Sequence, residues 1–350
     1  METEIIQVSL KEPEQDILKK AGTILKEGGL VAFPTETVYG LGGNAFNPAS
    51  SKKIYAAKGR PSDNPLIVHI AKIEDLEKVC RDIPEEAYAL AKVFWPGPLT
   101  MILPKREEVP VETTGGLSTV AVRLPDHPVA LSFIEAAGGF VAAPSANASG
   151  RPSPTKAEHV KEDLAGRIEM ILDGGDVGIG VESTIVDLTG EVPTILRPGF
   201  VTEEMLHRVL ETVETDQTLM QGPVAGRPKA PGMKYRHYAP KGSLVLLEGE
   251  PEKVARVMQE KLLQAKANGS RTGVLCSSET YPLVEADVKI DLGSRQDESS
   301  IAKHLYGALR QFDTEDVSVI YGECFSKEGL GMAVMNRLLK AAGYSVLAAE

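Results

Sequence analysis

Residues 58–66 carry the pattern that is most easily tied to chemistry. Lys58 and Arg60 are two cations two residues apart, and the glycine, prolines, serine and asparagine around them favour a fixed turn. A fixed pair of cations on a loop suits phosphate, because both groups donate charge-assisted hydrogen bonds. The alternative is that both side chains cover a solvated turn, where isolated charges contribute little.

A second polar stretch, residues 144–153, directly follows a predicted strand. It contains the short side chains of Ser145 and Asn147, and residues 141–156 include no aspartate or glutamate. Open α/β sheets place ligands at the carboxyl ends of their strands. Taken alone, Ser145 and Asn147 are better explained as caps of their own turn. Together with Lys58 and Arg60, the stretch indicates a single polyanionic ligand.

Composition sets limits on the class of protein. The 350 residues are enough for about two domains, and 42% apolar and 25% charged residues are ordinary for a soluble protein. The net charge of −11 argues against a protein whose main function is to coat nucleic acid. The chain has no run of about 18 apolar residues and no signal peptide at its start. We therefore predict a cytoplasmic protein without a membrane partner.

The three cysteines, Cys80, Cys276 and Cys324, are odd in number and widely spaced. This arrangement fits neither a disulfide framework nor a zinc site, so we predict free thiols. No metal ligand is predicted elsewhere. Asp173, Asp176 and Glu182 are the candidate ligands for Mg²⁺, but none is predicted to bind it, because Mg²⁺ in nucleotide sites is held largely by phosphate and water.

The alternation of predicted elements indicates an α/β fold. The first part of the chain contains many short strands with interspersed helices, which predicts one open mixed sheet. The predicted strands lie at 29–33, 66–70, 99–103, 120–124, 140–143, 168–173, 183–187 and 194–197. From residue 244 a second series of strands and helices predicts a smaller parallel-sheet domain.

Between these parts, residues 217–247 contain five lysines or arginines, four prolines and no acidic residue. We interpret this segment as a linker. A basic linker in an acidic protein suggests contact with something anionic, although a solvated tether with chance basicity is the alternative.

Three motifs together resemble the YrdC/Sua5 family. They are Lys58-x-Arg60, Ser145-x-Asn147 and the stretch Phe-Pro-Thr-Glu-Thr-Val-Tyr-Gly-Leu at 33–41. The resemblance covers essentially the whole chain and implies the long, Sua5-type layout. It implies a YrdC-like catalytic domain at 1–213, a linker or lid at 214–242, and a Rossmann-like domain at 243–350.

The family resemblance implies a reaction. Such proteins condense L-threonine, bicarbonate and ATP to threonylcarbamoyl-adenylate with release of pyrophosphate, and Mg²⁺ accompanies the ATP. The product serves the N6-threonylcarbamoyl modification of adenosine 37 in tRNA, through a downstream transferase machinery. Positioning and charge neutralisation dominate such a nucleotidyl transfer.

The resemblance also assigns roles to residues. Lys58, Arg60, Ser145 and Asn147 are the expected catalytic group around the phosphates. The positions expected around threonine are Thr37, His69, Arg123, Ser183 and the Ala143 backbone. The positions expected on the ATP side, besides Lys58, Arg60 and Ser145, are Asn64, Thr119, Ser153, Arg197 and Tyr238.

Spacing alone favours less specific roles for several of these residues. His69 alternates with apolar residues and fits a core histidine, Arg123 could pair with Asp126, and Tyr238 could pack on the second domain.

One rival function is a double-stranded RNA-binding module, in which the chain would contact RNA directly. Another is a hydrogenase-maturation relative, which would belong to a much larger chain. A compact pocket for an amino acid would distinguish the synthase from an RNA-binding surface.

Overall fold

The computed structural model describes residues 1–220, 228–231 and 237–350. Within these residues the strands form two sheets, one of eleven strands and one of five. The predicted α/β class, with a mixed sheet followed by a smaller parallel one, is confirmed. None of the described helices combines the length and the apolar character that a membrane crossing requires.

The larger sheet has the strand order β1-β8-β2-β3-β7-β4-β6-β5-β9-β10-β11 and mixes parallel with antiparallel pairs. Its strands are β1 (Glu4–Gln7), β2 (Val31–Phe33), β3 (Gly40–Asn44), β4 (Ile67–Ile70), β5 (Leu99–Pro104), β6 (Thr119–Arg123), β7 (Phe140–Ala143), β8 (Met170–Asp173), β9 (Thr184–Asp187), β10 (Thr194–Arg197) and β11 (Glu214–Thr215). Its helices are α1 (Gln15–Lys26), α2 (Pro48–Lys58), α3 (Leu76–Val79), α4 (Glu85–Phe94), α5 (Pro128–Ala136), α6 (Ala157–Leu164) and α7 (Glu203–His207).

Helices cover both faces of this sheet. On one face α1 and α5 bury Leu18, Phe133 and their neighbours against Phe33 and Val141. The two helices cross closely at Gly22, where an added Cβ would lie 2.5 Å from the Ala136 backbone. The other face, covered by α2, α4 and α6, holds the largest apolar cluster of the described residues. The sheet is therefore a rigid layer between two apolar cores.

Helix α2 delivers the cationic loop. Its N-cap Asn47 accepts a hydrogen bond from the Ala49 amide at 2.9 Å, and Pro48 occupies the first helical turn. Gly59 ends the helix in a left-handed conformation, with φ of 63°. This left-handed residue turns the chain directly between Lys58 and Arg60.

The second sheet is entirely parallel, in the order β14-β13-β15-β12-β16. Its elements are β12 (Ser243–Glu248), α8 (Pro251–Ala267), β13 (Thr272–Cys276), β14 (Val288–Asp291), α9 (Glu298–Thr314), β15 (Val319–Glu323), α10 (Gly329–Ala341) and β16 (Val346–Ala348). One apolar cluster contains residues of α9 and α10 together with Val38, Val181 and Tyr238. The second domain is thus packed against the first through a shared apolar core.

The segment predicted as the linker contributes β11, which pairs with β10, and a short 3₁₀ turn at Gln217–Met220 with Leu219 buried. Residues 221–227 and 232–236, which include most of its predicted basic motif, lie outside the described residues. The domain boundaries at 213 and 242 remain predictions.

Candidate active site

A cavity that is partly open to solvent lies where β4, β6, β7 and β9 meet the loops that follow α2 and β7. The structure brings many of the predicted site residues together in its wall. These are Thr37, Lys58, Arg60, His69, Arg123, Ala143, Ser145, Asn147, Ser183, Arg197 and Tyr238.

Three predicted nucleotide contacts do not line this cavity. Ser153 is buried and donates from Oγ to Oε1 of Glu182 at 2.5 Å. Asn64 is buried, and its carbonyl oxygen accepts hydrogen bonds from Arg60. Thr119 begins β6, opposite Pro104. Direct contact of these residues with a nucleotide remains a prediction.

Lys58 is held by oxygen atoms of the loop after β7. Its Nζ donates to the Ser145 carbonyl oxygen at 2.5 Å, to the Asn147 carbonyl oxygen, and to Asn147 Oδ1 at 3.3 Å. Burial lowers the pKa of Lys58 well below its usual value, and the nearby Arg60 cation lowers it further. No carboxylate of the described residues forms an ion pair with the Lys58 amine, so a bound anion would supply the counter-charge and favour the protonated form.

Arg60 is fixed by the turn that follows it. Its guanidinium donates to the carbonyl oxygens of Asn64, at 3.3 Å, and of Pro65, at 3.1 Å. Burial lowers the pKa of Arg60 to about 10, which leaves it charged near neutral pH. Backbone carbonyls orient the cation without neutralising it, as a phosphate site requires.

Ser145 and Asn147 line the cavity and also organise their own loop. Ser145 Oγ donates to Asn147 Oδ1 at 2.5 Å, and Asn147 Nδ2 donates to the carbonyl oxygens of Ala148 and Arg151, each at 2.9 Å. The turn-capping role that their spacing alone favoured is therefore present. The same contacts fix the two oxygen atoms of Asn147 that hold Lys58.

Arg123 occupies a separate corner of the cavity. Nη1 donates to Thr37 Oγ1 at 2.9 Å, Nε donates to the Gly97 carbonyl oxygen at 3.3 Å, and Nη2 lies 2.6 Å from Glu36 Oε1. Its ion-pair partner is thus Glu36 rather than Asp126. Glu36 could have been found from the sequence, because it directly precedes Thr37 in the motif at 33–41.

His69 lies next to Arg123 in the register of β4 and β6, and it is 4% exposed. Burial, reinforced by the Arg123 cation, lowers the pKa of His69 to about 3, so the ring is neutral. Its Nδ1 lies 3.1 Å from the Ile67 carbonyl oxygen and therefore carries the proton. Nε2 is then the hydrogen-bond acceptor of the ring.

Arg197 and Ser183 form a third polar group. Arg197 donates from Nε to the Ser183 carbonyl oxygen and from Nη2 to Ser183 Oγ, both at 3.0 Å. Ser183 Oγ also lies 2.7 Å from Thr100 Oγ1. Burial lowers the pKa of Arg197 to about 10, so the guanidinium remains charged near neutral pH.

Glu182 is the only acidic residue among the described residues that line the cavity. It accepts hydrogen bonds from Ser153, Tyr306 and Arg337. Burial raises the pKa of Glu182, but the Arg337 and Arg197 cations and these hydrogen bonds outweigh burial and lower it to about 2. Sequence reasoning missed this role, because Tyr306 and Arg337 lie in the other domain.

The described end of the linker also reaches the cavity. Pro231, His237 and Tyr238 are in its wall, and the Tyr238 ring lies 5.2 Å from the Tyr306 ring at an angle of 32°. Burial and the Arg60 cation lower the pKa of His237 to about 3. Tyr238 therefore lines the cavity and packs on the second domain at the same time.

Comparison with known proteins identifies the family. Residues 23–199 match the Sua5, YciO and YrdC family model, described as "Telomere recombination". Residues 201–343 match the model described as "Threonylcarbamoyl-AMP synthase, C-terminal domain". The chain belongs to the Sua5/YrdC family. This confirms the resemblance of its motifs, in the long Sua5-type form.

Relatives in this family match over nearly their whole length. A threonylcarbamoyl-AMP synthase of Pyrococcus abyssi is 50% identical over 345 residues, with 99% of each chain covered. One of Bacillus subtilis is 48% identical, with 97% of this chain and 96% of that protein covered. The crystal structure of P. abyssi Sua5 complexed with L-threonine has a TM-score of 0.95, at 48% identity, and covers 99% of this chain and all of that one.

Proposed function

We propose that this chain is an L-threonylcarbamoyladenylate synthase, a nucleotidyltransferase that condenses L-threonine, bicarbonate and ATP. The observation that carries this proposal is a single cavity with two kinds of polar corner. Lys58, Arg60 and Arg197 provide basic side chains in one part of the wall, and Arg123 lies with His69 in a compact corner suited to an amino acid. The full-length similarity to synthases supports it.

The reaction forms two bonds in sequence. The amine nitrogen of threonine adds to the carbon of bicarbonate with loss of water, or to carbon dioxide with loss of an amine proton, and gives a carbamate. A carbamate oxygen then attacks the α-phosphorus of ATP, and the bond from that phosphorus to the oxygen bridging to the β-phosphorus breaks. Pyrophosphate leaves with the electron pair of that bond. The protein therefore has to hold the two substrates in line and to stabilise the charge on the leaving group.

Arg123 is the proposed partner of the threonine carboxylate. A guanidinium has five N–H donors, and the contacts with Thr37 and Gly97 engage one donor on Nη1 and the donor on Nε. Nη2 forms an ion pair with Glu36 but donates no hydrogen bond, so donors on both terminal nitrogens remain for a ligand carboxylate. The neutral His69 offers Nε2 as an acceptor for the threonine hydroxyl, and Ser183 and the Ala143 backbone complete this corner.

Lys58 and Arg60 are the proposed clamps on the triphosphate, with Arg197 beside them and Ser145 and Asn147 as short-range polar contacts. Their charges stabilise the pyrophosphate as it leaves. Tyr238 would cover the nucleotide from the linker side, where an aromatic ring can stack on adenine. Asn64, Thr119 and Ser153 are proposed to support the same subsite from behind the cavity wall.

Mg²⁺ would enter with ATP, held by phosphate oxygens and water. The cavity wall fits a Mg²⁺ ion that the protein does not ligate directly. Both oxygens of Glu182 already accept hydrogen bonds, and the described residues contain no group of three potential metal-ligating side chains. We further propose that the enzyme acts in the cytoplasm, where its three free thiols are suited to a reducing environment. Its product would pass to a transferase machinery that modifies tRNA.

Pyrophosphate release tests the proposal. The purified chain should release pyrophosphate from ATP only when both L-threonine and bicarbonate are present. Release that does not depend on threonine would contradict it. Threonine-independent tight binding of duplex RNA, without pyrophosphate release, would instead support the RNA-binding module.

A further inference from the structure

Helix α9 of the second domain contacts the cavity wall directly. Tyr306 Oη lies 3.0 and 2.8 Å from the two carboxylate oxygens of Glu182, which lines the cavity. From α10, the fully buried Arg337 donates through Nε to Glu182 Oε2 at 3.0 Å. Glu182 precedes Ser183, whose carbonyl oxygen and hydroxyl hold Arg197. The second domain is thus connected through one carboxylate to a cation of the phosphate-binding group.

One turn along the same face of α9, Arg310 holds a different part of the wall. Its Nη2 donates to the Pro152 carbonyl oxygen at 2.6 Å and to Asp163 Oδ2 at 2.8 Å. Asp163 in turn accepts a hydrogen bond from the Ala148 amide at 2.9 Å and pairs with Arg151. Ala148 and Pro152 belong to the loop that carries Ser145 and Asn147. Residues four apart on a helix share one face, so a single face of α9 contacts both wall segments.

The side chains of Arg123 and His69 make no such contacts with the second domain. The hydrogen bonds and the ion pair of Arg123 go to Thr37, Gly97 and Glu36, and His69 contacts the Ile67 carbonyl oxygen. All these partners belong to the first domain. Apart from Ser183, which follows Glu182, the wall segments that hydrogen-bond to α9 and α10 therefore lie at the phosphate-binding end.

We propose that Tyr306 and Arg310 are positioning residues for the nucleotide end of the cavity. Tyr306 holds Glu182, and Arg310 holds residues 148–152, so that Lys58 and Arg197 present their charges in a fixed geometry. The second domain then acts as part of the nucleotide site without touching the nucleotide. The inference rests on the proposed function for the identity of the ligand, ATP.

Kinetics of two variants of the full chain test this role. Tyr306→Phe removes the hydroxyl but keeps the ring beside Tyr238, and Arg310→Met keeps the aliphatic stem. In Tyr306→Phe the buried Glu182 keeps its ion pair with Arg337, and in Arg310→Met the buried Asp163 keeps its ion pair with Arg151. We therefore expect both variants to fold. Tyr306→Phe removes one hydrogen bond to the Glu182 carboxylate, and Arg310→Met removes the hydrogen bonds to Asp163 and to the Pro152 carbonyl oxygen. The loss of a hydrogen bond to a charged group corresponds to roughly a 10-fold effect. We expect the KM for ATP to rise about 3- to 10-fold in each variant and the KM for threonine to stay within about 2-fold.

Matched controls lie in the same domain. Tyr281→Phe removes a hydroxyl from a tyrosine that is 36% exposed, and Gln311→Met places methionine at an exposed position of α9. Both controls should leave the two KM values unchanged. Equal increases of both KM values in Tyr306→Phe and Arg310→Met would indicate general loosening and would overturn the inference, as would unchanged values.

Hydrogen exchange and ATP titration separate this inference from the proposed function. The Ala148 amide donates to the carboxylate that Arg310 holds, so its exchange should be faster in Arg310→Met than in the parent chain or in Gln311→Met. Direct titration with ATP should show the same weakening as the KM. A parent chain without threonine-dependent pyrophosphate release would refute the proposed function. Unchanged exchange at Ala148 together with unchanged ATP affinity would refute the positioning role.

Discussion

Replacing Arg123 with lysine tests whether this guanidinium binds the carboxylate of threonine. All three nitrogens of Arg123 lie near oxygens of the protein, and N–H groups on both terminal nitrogens are left for a ligand. Lysine keeps a positive charge beside Glu36, so that carboxylate is not left buried without a cation. Lysine lacks the planar fork, however, and a single ammonium cannot make the same set of contacts. The substitution therefore removes the ligand-directed donors with little change in net charge.

The size of the effect follows from these lost contacts. A hydrogen bond to a charged group contributes roughly 1.5–3 kcal/mol, and about 1.4 kcal/mol is a tenfold change in affinity. Arg123→Lys should therefore weaken threonine binding by about 10- to 100-fold. ATP binding should change by less than about 2-fold, because Lys58 and Arg60 are held by the loops after β7 and α2.

Separate calorimetric titrations with threonine and with ATP measure the two affinities. Arg81→Lys is a matched control, since Arg81 is exposed and its Nη1 lies 2.9 Å from Asp82. It should leave both affinities unchanged. The reasoning would be refuted if Arg123→Lys weakened threonine and ATP binding equally, or if threonine binding were unaffected.

Three further predictions address pH, the cationic loop and the linker. Burial lowers the pKa of His69 from 6.5 to about 3, so the unfolded chain binds more protons than the folded one between these values and stability rises with pH. His69→Gln should reduce the slope of the unfolding free energy against pH, between the pKa values of about 3 and 6.5, by up to about 1.4 kcal/mol per pH unit. Urea denaturation at several pH values measures this slope. An unchanged slope would contradict the lowered pKa of His69. Gly59→Ala should lower the free energy of unfolding by about 1–2 kcal/mol, because φ is 63° at this residue, and it should raise the KM for ATP. The control Gly269→Ala, with φ of 81° in the second domain, should lower the free energy of unfolding by the same amount and leave the KM for ATP unchanged. Tyr238→Ala should raise the KM for ATP several-fold, and unchanged adenylate formation in that variant would contradict a lid role for the linker.

Local chemistry explains which parts of the fold could be predicted from the sequence. The strands predicted at 66–70 and 120–124 depend on neighbouring residues, and they agree with β4 and β6 of the structure. The Asn47-Pro48 start of α2 has the same local origin. Strand β3, Gly40–Asn44, is absent from the predicted strands, because its composition, GLGGN, opposes strand formation. Its pairing with β2 and β7 is a tertiary effect.

The same distinction applies to the site. The motifs at 33–41, 58–60 and 145–147 could be found because each is compact in sequence. The role of Glu182 could not, because its partners Tyr306 and Arg337 lie 124 and 155 residues away. Short motifs therefore indicate the ligand class, whereas the residues that orient the site depend on domain packing.

The proposed function requires threonine and ATP to bind side by side in one cavity. A crystal structure with L-threonine and a non-hydrolysable ATP analogue would show the positions of both ligands. We expect the threonine carboxylate at Arg123 and the triphosphate at Lys58, Arg60 and Arg197, with the threonine nitrogen facing the α-phosphate. Either ligand bound outside this cavity, or the two bound too far apart to react, would contradict the account.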